Sequence, residues 1–174
     1  MILGAEVSLS EERFDLVISN PPFGKSSTSG VSNSPYAFKL IESENGIEPS
    51  QRLVSKQCLS ALFLGLILDK AKDNGTVTAL LPSSITSNAS FKSLRQHLMQ
   101  ENYVQASISL PSHTFYHTGT SVSTSVLSIE KSGQQDDVFM AVIESIGWDT
   151  RGRQVQKNDI PLVLEAFREF SISR

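Results

Sequence analysis

Four consecutive residues, Asn20-Pro21-Pro22-Phe23, combine groups that suit one particular chemistry. The Asn20 carboxamide offers an acceptor oxygen and a donor amino group, whereas Pro21 has a free carbonyl and no N–H. Two acceptors converging on one point suit an –NH₂ group. They hold its hydrogens, leave the nitrogen lone pair free to turn toward an electrophile, and stabilise the positive charge that develops on nitrogen. Phe23 adds a flat apolar surface on which a flat ring can stack. The arrangement fits transfer of a group to a planar amine, with no acid–base dyad. The alternative is an ordinary Pro-Pro turn.

The element that must position these residues lies directly upstream. Phe14-Asp15-Leu16-Val17-Ile18 is a run of β-favouring residues that stops at Asn20, and it predicts a buried strand. Each proline fixes its own φ and drives the preceding residue toward extended geometry, so the motif is a stiff loop. In open α/β sheets ligands bind at this end of the strands.

Asn20-Pro21-Pro22-Phe23 resembles the catalytic motif of amino-group methyltransferases that use S-adenosylmethionine, the N6-adenine DNA methyltransferases above all. The resemblance implies that Asn20 and the Pro21 carbonyl hold the adenine N6, that Phe23 stacks on the flipped base, and that Pro22 shapes the loop. The same tetrapeptide logic serves glutamine amides in proteins and amines in RNA.

Composition sets the bounds. A chain of 174 residues predicts one domain, here 1–174, and 39% hydrophobic residues support a core. Net charge is −3, so no global basic field attracts nucleic acid; a local patch or a partner must supply phosphate contacts. Cys58 is the single cysteine, which excludes a disulfide framework and a Cys-rich metal site. The most apolar stretch, Cys58 to Leu68, is far short of the roughly 20 residues that span a bilayer, and the chain reads as soluble, intracellular and cytoplasmic.

Along the chain, Ile2 and Leu3 could end a strand. Lys25 to Pro49, rich in Ser, Gly, Asn and Pro, predicts a long loop: a flap over the site or a disordered insertion. In it Lys25 and Lys39 are candidates for phosphate contact, and Tyr36 and Phe38 for stacking. Ser50 to Asn74 predicts a helix capped by Ser50 and closed by Gly75, with Gly65 allowing close packing on a sheet. Thr76 to Pro82 and Val104 to Leu110 predict strands. Between them a helix capped by Ser87 or Asn88 runs to about Glu101, with His97 at its surface or boundary. Pro111 to Ser121 is a loop whose Phe115 and Tyr116 could touch DNA or the target base. His113 and His117 are four apart, but Thr118-Gly119-Thr120 argues against the helix a zinc pair would need, and no metal is expected. Ser121 to Glu130 predicts a strand at the sheet's edge, and Val138 to Ile146 a further strand. Trp148 reads as packing, and Arg151 and Arg153 as candidates for phosphate contact. Asn158-Asp159-Ile160-Pro161 starts a last helix. This strand–helix alternation predicts an α/β fold with helices on a mostly parallel sheet.

Leu80-Leu81-Pro82-Ser83, Ile108-Ser109-Leu110-Pro111-Ser112, Phe115 to Thr120 and Val126-Leu127-Ser128-Ile129-Glu130-Lys131 extend the resemblance over roughly residues 12 to 170. Together they resemble the carboxyl half of the methylation subunit of type I restriction–modification systems. That implies a Rossmann-like methyltransferase sheet with one antiparallel strand, S-adenosylmethionine as cofactor, DNA as substrate, and a specificity or restriction subunit as partner. Such an enzyme needs a glycine-rich turn beside its cofactor. No G-x-G occurs among the ten glycines. No cofactor-binding residue can therefore be assigned, and the cofactor-binding strand–loop–helix is expected to lie outside this chain. A fragment inactive until another chain completes it is the non-enzymatic alternative.

Overall fold

The computed structural model describes residues 12–27, 34–118 and 122–173. The stretch around Ile2 and Leu3, and Gly119 to Ser121, lie outside them. In chain order the elements begin with strands β1 (Phe14–Ser19), β2 (Lys25–Ser27), β3 (Phe38–Ser43), β4 (Gly46–Leu53) and β5 (Lys56–Cys58). Helix α1 (Leu59–Lys70), strand β6 (Ala71–Pro82), and helices α2 (Ser83–Ser87) and α3 (Lys92–Glu101) follow. The chain continues through β7 (Asn102–Leu110), β8 (Thr124–Lys131), β9 (Phe139–Val142), β10 (Ile146–Trp148) and β11 (Gln154–Asn158) to α4 (Ile160–Ile172).

Five strands form the central sheet in the order β1-β6-β8-β7-β9. β1 pairs parallel with β6 and β9 parallel with β7, while β8 runs antiparallel to both its neighbours. Four strands therefore share one direction. The carboxyl ends of β1, β6, β7 and β9 all lie along one edge, the edge where an open α/β sheet binds ligands.

One face of the sheet is sealed. Val77, Ala79 and Leu81 of β6 and Leu127 and Ile129 of β8 are buried with Ala61, Leu64 and Leu68 of α1 and Leu94 and Leu98 of α3. Each large aliphatic side chain buried there contributes about 1.5–3 kcal/mol. The opposite face is covered only in part. Phe139 packs on Phe167 and Phe170 of α4, ring centroids 5.4 and 5.6 Å apart. At the other end of that face Phe14, Leu16 and Ile18 are 47%, 56% and 73% exposed.

Several expectations are corrected here. β1 is a strand, but the sheet's edge strand and not a buried one, because no described residue covers its second face. The predicted long loop at 25–49 is mostly strand: β2 pairs with β5, and β3 with β4, in two antiparallel ribbons. Gly46, at φ +112°, makes the β3–β4 turn. The predicted helix from Ser50 begins only at Leu59, since Ser50 to Leu53 belong to β4, whose Leu53 pairs with Phe38 of β3. It ends at Lys70, and the left-handed residue that follows is Asn74, φ 61°, rather than Gly75. Gly65 does permit a close approach, but of Ser34 and Pro35: an added Cβ would lie 2.3 Å from Ser34 Oγ. β8 lies inside the sheet, not at its edge. The predicted strand at 138–146 is interrupted after Val142 and resumes as β10.

Other expectations hold. β6 and β7 match, and α4 begins beside Asp159 with Pro161 in its first turn. Asn88 caps a short 3₁₀ turn before α3, its Oδ1 accepting from Ser90 N at 2.9 Å. His97 is half-buried, edge-on to Tyr36 with centroids 5.7 Å apart. No helix among the described residues is long and apolar enough to cross a membrane.

Candidate active site

The motif loop leaves β1 at Asn20 and is fastened to the start of α1. The Leu59 N–H, one of the donors that a helix's first turn leaves unpaired, donates to Gly24 O at 2.9 Å. Ser60 Oγ donates to Pro22 O, also at 2.9 Å. Gly24 sits at φ +111°, a backbone angle that favours glycine, and an added Cβ would meet open space. The Pro22 carbonyl is thereby occupied. Neither the Asn20 carboxamide nor the Pro21 carbonyl has a hydrogen-bond partner among the described residues. Asn20 is exposed and Pro21 is buried. A rigid loop thus presents two uncommitted acceptors beside each other.

Phe23 opens a cleft of about 590 Å³, within the range of small-molecule sites. Lys25, Lys56 and Gln57 line one side, and Pro82, Asn88 and Phe91 another. Behind Pro82, Ser83 Oγ lies 3.0 Å from Ser125 Oγ, a hydroxyl pair that fastens the start of α2 to β8.

Of the sequence candidates, the structure brings Lys25 to the cleft with Phe23. Tyr36 is not available as a stacking surface. It is 2% exposed and packs in the core, and burial pushes its hydroxyl well above the ordinary tyrosine value. Tyr36, Phe38 and Lys39 line a separate, smaller cavity of about 190 Å³. Phe115 is half-buried and Tyr116 is 48% exposed; both lie in a 3₁₀ segment after β7, away from the cleft lining. His113 Nε2 is 3.0 Å from the Trp148 carbonyl, which ties that segment to β10. Trp148 itself, read as packing, is 42% exposed. Arg151 is exposed, but Arg153 is tied down: Asp149 accepts from the Arg151 and Arg153 backbone N–H groups at 2.8 and 2.9 Å and from Arg153 Nε at 2.9 Å. Those bonds, the Arg153 backbone N–H foremost, hold the Asp149 carboxyl below its usual range.

Sequence reasoning missed Lys56, Gln57 and Phe91. Lys56 and Gln57 fell inside the over-long helix, although a Ser-Lys-Gln step there interrupts the apolar spacing between Leu53 and Cys58. Phe91 falls within the predicted helix that runs to about Glu101; it is half-buried and packs against the core as well as lining the cleft.

The sheet and the acceptor loop at its edge define a Rossmann-like, class I methyltransferase fold. A Listeria monocytogenes structure described as a class I S-adenosylmethionine-dependent methyltransferase superposes with a TM-score of 0.60 at 20% identity, over 91% of this chain and 43% of that one. The sequence profile described as N-6 DNA Methylase matches residues 3–173, and the chain belongs to that family. The Defense against restriction protein B of Escherichia phage P1 is 28% identical over 125 residues, 72% of this chain and 5% of that protein. The Type I restriction enzyme MpnII methylase subunit of Mycoplasma pneumoniae is 23% identical over 128 residues, 74% of this chain. The chain spans about a fifth of that subunit's length.

Proposed function

We propose that this chain is the acceptor-binding, catalytic part of an adenine-N6 DNA methyltransferase of a restriction–modification system, with S-adenosylmethionine as methyl donor. One observation carries the reading: Asn20 and the Pro21 carbonyl stand uncommitted among the described residues, on a loop fastened through Ser60 and Leu59, whose next residues Phe23 and Gly24 line the cleft. A base in a duplex cannot reach that loop, so the target adenine must be flipped out of the stack. Its N6 hydrogens would be held by Asn20 Oδ1 and Pro21 O, and its ring face by Phe23. The fixed acceptors need no reorganisation as positive charge builds on N6, which is where the acceleration arises.

The described residues fit the amine and not the cofactor. The chain has no G-x-G turn, so no described residue is assigned to the cofactor and no step is routed through it. We assign the cofactor site to a segment that pairs with the edge of β1 left open by the described residues and covers Phe14, Leu16 and Ile18. DNA and the specificity or restriction subunits are the partners this reading implies, and the cytoplasm its place of action.

The test is incubation with S-adenosylmethionine carrying a labelled methyl group, with DNA, RNA and protein in parallel, with and without a second chain that carries a glycine-rich cofactor-binding segment. Label recovered as N6-methyladenine in DNA supports the proposal. Label in protein glutamine or RNA overturns the substrate assignment.

A further inference from the structure

The cleft carries a charge pattern that the motif does not account for. β2 and β5 pair antiparallel with Lys25 opposite Cys58 and Ser27 opposite Lys56. Residues directly opposite share a face, and so do residues two apart along a strand. Lys25 and Lys56 therefore project from the same face of the ribbon as diagonal neighbours, roughly 7–8 Å apart in such pairs. Both are exposed and both line the cleft that Phe23 opens. They are its charged lining residues, and no carboxylate lines it among the described residues. In a chain of net charge −3 this is a local excess of two cations with no acid beside them in the cleft lining among the described residues.

From this geometry we infer that Lys25 and Lys56 form a two-cation clamp on successive phosphates of the DNA strand that delivers the target base to Phe23. The inference rests on the proposed function and adds to it a phosphate subsite and the residue Lys56. Two like charges held side by side repel in the free protein, and a strand of regularly spaced anions relieves that repulsion. The ribbon is continuous with the motif, since Lys25 follows Gly24 and Cys58 leads into α1. The clamp therefore fixes the strand in register with Asn20. Contacts of this kind position the substrate and carry no sequence information.

The experiment is a fluorescence-anisotropy titration of the full chain with a labelled duplex bearing one mismatched adenine, repeated over a series of KCl concentrations. Each phosphate contact contributes about 0.9 to the slope of log K against log salt. Lys25→Gln and Lys56→Gln are each expected to flatten the slope by about 0.9 and the double variant by about 1.8. Lys72→Gln, whose lysine is paired with Asp15 at the amino end of β1, the end away from the motif loop, should leave it unchanged. Thermal melts check the fold, which two exposed side chains should not disturb. An unchanged slope in the double variant overturns the clamp while leaving the proposed chemistry intact. Methyl transfer by the Asn20→Ala variant reports on that chemistry separately, because removing an acceptor should not change the salt slope. A wild-type chain that binds no duplex even at low salt overturns both.

Discussion

Two corners of the same sheet edge carry similar residues and do different things. At the β1 corner stand Asn20, Phe23, Lys25 and Lys56; at the β9 corner stand His113, Trp148, Arg151 and Arg153. Each set has an aromatic ring and two cations, and from the sequence both were fair candidates for nucleic acid. The difference is commitment. At the β9 corner His113 is bonded to the Trp148 carbonyl, and Arg153 to a carboxylate that also accepts two backbone N–H groups. That corner's polar groups hold a turn together. At the β1 corner the bonds that fix the loop use the Pro22 and Gly24 carbonyls, and among the described residues they leave Asn20, Pro21 and both lysines unspent. Residue type nominates a site, and spare bonding capacity on a rigid support decides it.

The largest effect should appear where commitment is most complete. Tyr36 is fully packed, so Tyr36→Ala is expected to destabilise the fold by about 3–5 kcal/mol, the cost of truncating a large buried aromatic. Tyr36→Phe should be far milder. Urea melts measure both. If Tyr36→Ala left stability intact and weakened DNA binding, the original assignment of Tyr36 to the substrate surface would return. Asn20→Ala should show the reverse pattern. The side chain is exposed, so the melt should not move, while methyl transfer falls about 10²–10³-fold, the usual loss for one preorganised polar contact in a transition state. Near-normal turnover would sink its role. Phe23→Ala comes next. Base–aromatic stacking is worth about 1–3 kcal/mol, so affinity for a duplex with an unpaired target adenine should fall roughly 10- to 100-fold. A fully paired duplex should show less of that loss.

How far these roles could be read from the sequence follows from the same distinction. The motif was legible because its chemistry lies in consecutive residues. So were β6 and β7, whose apolar runs end at Pro82 and Pro111, and the start of α4, marked by Asp159 and Pro161. Lys56 was not legible: only the pairing of β5 with β2, which begin 31 positions apart, places it beside Lys25. The β3–β4 hairpin was hidden by its Ser, Asn and Pro content, although Asn45-Gly46 is a strong turn signal. Leu53 happened to fall at helical spacing from the apolar run after Cys58, and this drew the helix too far back. β8 looked like an edge strand because it alternates hydroxyls with aliphatics. Inside the sheet Ser125 is bonded by Ser83 and Ser128 by Gln105, while the Thr124 hydroxyl is buried with no partner among the described residues.

The smallest effect should lie at the β9 corner. Arg153→Gln is expected to leave the salt slope of DNA binding where it is, because that guanidinium already faces Asp149, 2.8 Å away. Asp149→Asn should steepen the slope by up to about 0.9 by releasing one cation. The same pair predicts a pH effect. The Asp149 carboxyl is held below its ordinary value in the fold, so the unfolded chain binds the proton more readily. The stabilisation from this pair is then complete above about pH 4, the ordinary aspartate value, and is lost as pH falls through the lowered one. A wild-type melt that weakens only below about pH 4, with that slope reduced in Asp149→Asn, would place this corner with the structural residues. If Arg153→Gln flattened the salt slope as much as Lys56→Gln does, commitment in the free protein would be no guide to function, and both corners would have to be counted as DNA contacts.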